Sequence, residues 1–218
     1  MDKTDMQLKE DIMDELRWDP RVNSAQIGIT VDKGAVSLMG EVDTYAEKWA
    51  AEDATKRVSG VRAVAEELAV KVLGPHVRSD SEITGAVLNA LKSNVWVPDT
   101  VTARVHQGAL VLEGEVEWNY QRDAAAVAVR HLAGIVSVRN ATTIVPKASE
   151  GQVKERVQAA LLRQAAADGR SITVGTSGST VTLSGNASSW GAIQDAADAA
   201  WATPGVTRVI DNVAMTGR

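Results

Sequence analysis

Three glycines, Gly40, Gly114 and Gly185, each stand twenty residues ahead of a second one, Gly60, Gly134 and Gly205, and the second is followed by Val61, Ile135 or Val206. Three matched pairs at one spacing mean that the chain is made of copies of a single unit, and no other feature limits its fold as much. Each first glycine closes a short strand-like pattern, AVSLMG, ALVLEG or TVTLSG. A further glycine precedes each pattern: Gly34, Gly108 and Gly178, the third within a turn that is one residue longer. All nine are expected to be turn glycines, where the backbone needs a positive φ that only glycine adopts without cost.

The rest of the unit can be read around those nine positions. Thr4-x-x-Gln7, Ser79-x-x-Glu82 and Ser149-x-x-Gln152 fit the capping box that opens a helix. Apolar stripes at every fourth residue follow: Leu8/Ile12/Leu16, Ile83/Val87/Leu91 and Val153/Val157/Leu161. Next comes alternation on both sides of the turn glycine, as in Ile27/Ile29/Val31 and Val36/Leu38, which is the signature of a hairpin with one apolar face. Between the paired glycines lies an alanine-rich helical stretch in which Ala54, Ala128 and Ala199 are equivalent, and small residues let a helix lie close on a sheet. Val61/Val64/Leu68, Ile135/Val138/Ile144 and Val206/Val209/Val213 then read as a closing strand. The expected fold is α+β: three tandem αββαβ units, spanning 1–74 (divergent and acidic), 75–147 and 148–218, with short links around Pro75 and after Pro146. Units of about 60–70 residues are marginal alone, so the three are expected to pack on one another.

VTLSG before the helix and GVTRVIDNVAM after it resemble the BON domain, also called the transport-associated domain, of bacterial osmotically inducible and nodulation proteins. The third copy carries this through Val181–Gly185, Gly205, Val206, Val209 and Asn212; the second through Leu110–Gly114, Gly134, Ile135, Val138 and Asn140. The first has Glu66 where the others suggest Asn. The resemblance implies two helices on one face of a three-stranded mixed sheet. It also implies association with phospholipid membranes or envelope components, often in osmotic stress. One relative binds potassium, which leaves a small-cation sensor as an alternative.

Composition narrows the chemistry. With no cysteine there is no disulfide and no thiolate site, and three histidines leave little for a metal or catalytic centre. A net charge of −5 argues against nucleic acid as a partner. All of it belongs to residues 1–75, with 10 basic and 15 acidic side chains, while residues 76–147 and 148–218 are neutral. Any contact with anionic lipid is therefore expected on the second or third copy. No stretch has the roughly 20 apolar residues of a membrane span. The start of the chain lacks the apolar core of an export signal, so the expected location is cytoplasmic, or periplasmic if a signal has been removed. No nucleophile is matched with a base and no phosphate-binding loop is present, so the expectation is a protein that is not an enzyme and takes no cofactor or metal. Glu113, Glu115 and Glu117 alternate as a solvated strand end would, rather than as a cation site.

The candidate contact residues are aromatic. Tyr45, Trp118, Tyr120 and Trp190 lie just after the first glycines, where the second helix begins. Such residues suit a headgroup boundary, or else a contact between repeats. Trp18, Trp96 and Trp201 are expected to pack. The function expected is a stress-associated binding protein that contacts a phospholipid membrane or an envelope-associated partner. A scaffold without lipid affinity, with self-association as an option, is the alternative.

Overall fold

A computed structural model describes residues 3–145, 172–187 and 189–215. The first repeat runs α1 (Asp5–Trp18), β1 (Ile27–Asp32), β2 (Ala35–Val42), α2 (Tyr45–Arg57) and β3 (Ala63–Val70). The second runs α3 (Asp80–Ser93), β4 (Thr102–His106), β5 (Ala109–Glu113), β6 (Glu115–Val116), α4 (Asn119–Val129), β7 (Ser137–Asn140) and β8 (Thr143–Ile144). In the third, the described elements are β9 (Ile172–Ser177), β10 (Thr180–Ala187), α5 (Trp190–Trp201) and β11 (Arg208–Met215). The capping box at Ser149 and the stripe Val153/Val157/Leu161 lie outside the described residues.

The three sheets share one topology. β2 is central, antiparallel to β1 and parallel to β3, and β10 stands in the same way between β9 and β11. A parallel pair needs a crossover, which the alanine-rich helix supplies. Ala51, Ala54, Ala125 and Ala199 are buried, whereas Ala128 is only half-buried. The first-helix stripes Leu8/Ile12/Leu16 and Ile83/Val87/Leu91 are buried too, against Leu38 and Leu112 at the sheet centres. Each repeat thus has its own core.

Local chemistry starts the first helices as their sequences predict. Gln7 N–H donates to Thr4 Oγ1 (3.3 Å) while Thr4 N–H donates to Gln7 Oε1 (3.0 Å), and Ser79 and Glu82 make the same reciprocal pair. A second brace is repeated beside it. The Asp5 carboxylate accepts the N–H groups of Lys33 and Gly34, and that of Asp80 accepts those of Gln107 and Gly108. These two bonds hold the Asp80 carboxyl below its ordinary pKa. One aspartate therefore pins the hairpin turn to the helix start in each of these two repeats. All nine repeat glycines have positive φ, between 57° and 128°.

Two details depart from the sequence pattern. In the second repeat the sheet breaks in two, β4-β5-β7 and β6-β8. At the break, Asn140 Nδ2 donates to the Arg122 carbonyl, and the Thr142 N–H and hydroxyl both donate to Asn140 Oδ1. That turns the closing strand aside for two residues. The strand register also pairs Leu38 with Glu66, Leu112 with Asn140 and Leu183 with Asp211, so Asp211, not Asn212, is the third counterpart. All three side chains accept the backbone N–H two residues on: Glu66 from Leu68, Asn140 from Thr142 and Asp211 from Val213.

The repeats meet through their second helices. Tyr45, at the start of α2, packs against the second core, and the Arg130 guanidinium just past α4 lies 3.8 Å from the centroid of the Trp49 ring. Trp190, at the start of α5, donates its indole N–H to the Val61 carbonyl (3.0 Å), and Lys56 near the end of α2 stands 5.8 Å from the centroid of its ring. Asp123 of α4 is close enough to Asp198 of α5 for the two charges to oppose each other.

Candidate functional site

The second repeat is best understood against the first, because the backbone matches their positions one by one. Asp19 caps α1 and its carboxylate accepts the N–H of Arg21; Asn94 caps α3 and accepts the N–H of Trp96 in the same turn. Trp96 therefore stands where the first repeat has Arg21, and Val95 where it has Pro20. Along the second helices, Val127 and His131 are the counterparts of Asp53 and Arg57, each seven and three residues before the second glycine.

In the first repeat this region is a closed network of charges. Arg21 Nη2 lies 2.6 Å from Asp19 Oδ2, and Arg57 reaches Asp53 Oδ2 (2.6 Å), Glu15 Oε1 (2.9 Å) and Asp19 Oδ2 (3.2 Å). The Asp19 side chain is only 5% exposed. Its hydrogen bonds, from the Arg21 side chain above all, hold its carboxyl far below the usual range against the opposing effect of burial. Each charge of this network meets its complement.

The second repeat has none of those charges at the matching positions: Ala90, Asn94, Trp96, Val127 and His131 replace Glu15, Asp19, Arg21, Asp53 and Arg57. What remains is aromatic and open. Trp96 is 59% exposed and Tyr120 50%, and their rings meet edge to face with centroids 5.7 Å apart. Val95 is 89% exposed, and Val127 is exposed two turns along α4 from Tyr120 on the same stripe, which ends at His131. Large apolar side chains clustered in water usually mark a contact surface, whereas single ones do not.

The aromatic positions singled out from the sequence thus divide. Tyr45 is half-buried between repeats, and burial raises the pKa of its phenol. Trp190 is half-buried on the first repeat, and Trp118 is half-buried at the start of α4. Tyr120 alone of the four is exposed, and it is joined by Trp96, which was expected to pack. Trp18 is 84% exposed as well, on the last turn of α1 away from its buried stripe, whereas Trp201 does pack, against the third core. What carries Trp96 outward is the turn that Asn94 makes after α3, a local signal visible as Asn-x-Trp.

The three glutamates do not act together. Glu113 is paired with Arg104 (2.7 Å), and Glu117 is half-buried. Glu115 is exposed. Its counterpart Glu41 is paired with Lys71 (3.1 Å), and strand register puts Val145 in the place of that lysine: Lys71 N–H donates to Val42 O, Val145 N–H to Val116 O. Among the described residues Glu115 therefore lacks the counter-ion that Glu41 has. Among the described residues no group of three or more acidic or histidine side chains is arranged to hold a metal ion. Among the described residues, too, no helix is long and apolar enough to cross a membrane.

Comparison with known proteins places this architecture. Among solved structures the chain is similar to CdsD, a structural protein of the type III secretion system of Chlamydia trachomatis, at 16% identity over 96% of this chain and 92% of that one, with a TM-score of 0.27. It is also similar to the periplasmic domain of the type III secretion inner membrane protein PrgH from S. typhimurium, at 13% identity over 88% and 94%, with a TM-score of 0.24. Likenesses this distant carry no argument about role. No curated protein sequence matches the chain. The BON domain model matches three times, over residues 4–72, 79–146 and 149–217. With nearly its whole length so matched, the chain belongs to the BON domain family.

Proposed function

We propose that this chain is a non-catalytic, stress-associated interaction module whose second repeat contacts a phospholipid membrane or a protein seated at one. The observation that carries this is the open Trp96–Tyr120 pair. The first repeat closes the same region with five charged side chains, so the fold does not require an exposed aromatic face there. Its presence in one copy alone of these two is a difference of surface, not of scaffold. Tyr and Trp suit such a surface because each joins a large apolar body to a polar edge.

Co-sedimentation with native bacterial membrane vesicles and with protein-free phospholipid vesicles tests the proposal. The chain is expected to sediment with native vesicles, and the Trp96→Ala/Tyr120→Ala double variant to remain in solution. Equal behaviour of the two proteins, or no sedimentation of either, would count against the second repeat as the contacting unit. Protein-free vesicles separate lipid from protein as the thing contacted.

A further inference from the structure

We infer that the aromatic face of the second repeat receives a basic segment of a protein partner, a Lys or Arg side chain lying on Trp96 and Tyr120 with its charge directed to Glu115 and Asp99. This rests on the reading of that face as the contact surface, and goes beyond it in committing to the chemistry of what is bound.

The argument is one of charge left over. Thr100 donates its hydroxyl to the carbonyl of Glu115, which brings Asp99 and Glu115 to the same end of the repeat as the aromatic pair. Asp99 lies three residues beyond Trp96, and Glu117 three residues before Tyr120. Asp99 and Glu115 are both exposed. The first repeat has no acid at the position of Asp99, where Ala25 stands, and it neutralises the position of Glu115 with Lys71. The second repeat has thus gained one carboxylate and lost the cation that answered another. In the same place it has exchanged Arg21 for Trp96 and Arg57 for His131, while Ala90, Asn94 and Val127 replace the acids Glu15, Asp19 and Asp53, so the closed network is gone as a whole. What this end of the repeat keeps is two exposed carboxylates and two open rings, and ring faces attract cations while carboxylates pair with them. An anionic lipid headgroup would meet these carboxylates with repulsion. A second copy of this chain, with a net charge of −5, is also a poor source of unpaired basic side chains.

The test uses the full chain and a short fluorescein-labelled Lys/Arg peptide followed by anisotropy, with a Glu-rich peptide of equal length as control. An acidic protein attracts polycations everywhere, so variants carry the decision. Trp96→Ala leaves the net charge unaltered, and Asp99→Asn/Glu115→Gln removes the carboxylates of the face. Glu10→Gln removes an exposed carboxylate from α1 of the first repeat. Circular dichroism and melting confirm that each variant folds. Trp96→Ala and the double carboxylate variant are each expected to weaken binding about tenfold, the size of one good cation–ring contact or one charge-assisted bond. Glu10→Gln is expected to change it by less than about twofold, as a rim charge does.

The inference is overturned if the wild-type chain does not bind the basic peptide, or if either face variant loses no more than Glu10→Gln. It is also overturned if protein-free vesicles float the chain in a Trp96-dependent way while the peptide does not compete. In that case the contact surface stands and a membrane is its partner. If neither vesicles nor peptide respond to Trp96, the contact surface itself falls. Dimerisation that Trp96→Ala abolishes would replace the basic segment with a second copy.

Discussion

Replacing Gly114 by alanine should wreck the second repeat, while the same replacement at Gly85, in the same repeat, should strengthen it. At Gly114 φ is +118°, and a Cβ built there would lie 2.1 Å from the carbonyl oxygen of Thr100 and 3.0 Å from its carbon. Both are backbone atoms, so no side chain can swing aside. Comfortable contact needs about 3.5 Å, and the chain would have to part by more than roughly 1 Å where β4 begins. Backbone strain at such a φ costs about 1–3 kcal/mol, and forcing an extra carbon into packed structure costs a similar amount, so roughly 3–5 kcal/mol is expected in all. Gly85 is exposed within α3, and nothing would stand within 4 Å of its Cβ. Alanine there should add about 0.5–1 kcal/mol through helix propensity. For a chain of this length each kcal/mol moves the melting point by about 2–4 °C. Thermal unfolding followed by circular dichroism should therefore show Gly114→Ala lower by on the order of 10 °C and Gly85→Ala slightly higher. Hydrogen exchange should place the loss in β4 and β5. Equal shifts for the two variants, or a Gly114→Ala protein that melts with the wild type, would refute the argument from close approach.

Asp19→Asn keeps the turn that accepts the Arg21 N–H but removes the charge that Arg21 and Arg57 share. Because both arginines are half-exposed, the expected cost is about 1–3 kcal/mol, less than for a fully buried pair. The Asp19 carboxyl is depressed in the folded chain, so its contribution is complete above the unfolded carboxylate pKa of about 3.9 and is lost as pH falls below it. The gap in melting temperature between wild type and Asp19→Asn should thus be constant near neutrality and shrink in acid; a gap that widens in acid would reverse the sign of this reasoning. Trp190→Ala should loosen the third repeat from the first, since it removes the hydrogen bond to Val61 and the ring beneath Lys56, together worth about 1–2 kcal/mol. Faster amide exchange in α5, with the β9–β11 sheet unaffected, is the expected record, and unchanged exchange would show that the junction does not rest on that residue.

The features legible in the sequence are those set by neighbours along the chain. Glycine spacing, capping pairs and four-residue stripes state the helix, hairpin and closing strand of each copy, because turns and amphipathic faces are local matters. Features that depend on two distant segments meeting were not legible. Asp5 and Asp80 look like ordinary first-turn acids until the hairpin tip is seen to lie on them. The shift from Asn212 to Asp211 follows from strand register, which residue type does not reveal. Trp96 shows the limit most plainly. Its type suggests a core, but a backbone turn at Asn94 carries it outward to meet the Tyr120 ring. Comparing it with Arg21 required knowing that the two occupy one place.

The way the second helices meet has a consequence for how such chains can associate. The start of α2 engages the end of α4, and the start of α5 engages the end of α2, so one head-to-tail contact is used twice with different residues. Asp123 near the start of α4 and Asp198 in the later part of α5 are near enough for their like charges to repel each other. A head-to-tail contact either closes on itself or propagates from molecule to molecule as a fibre. Two copies of this unit would leave one head and one tail free to recruit further chains. The third copy fills that tail through Trp190, so this site of the contact is occupied within one polypeptide and is not offered to the next.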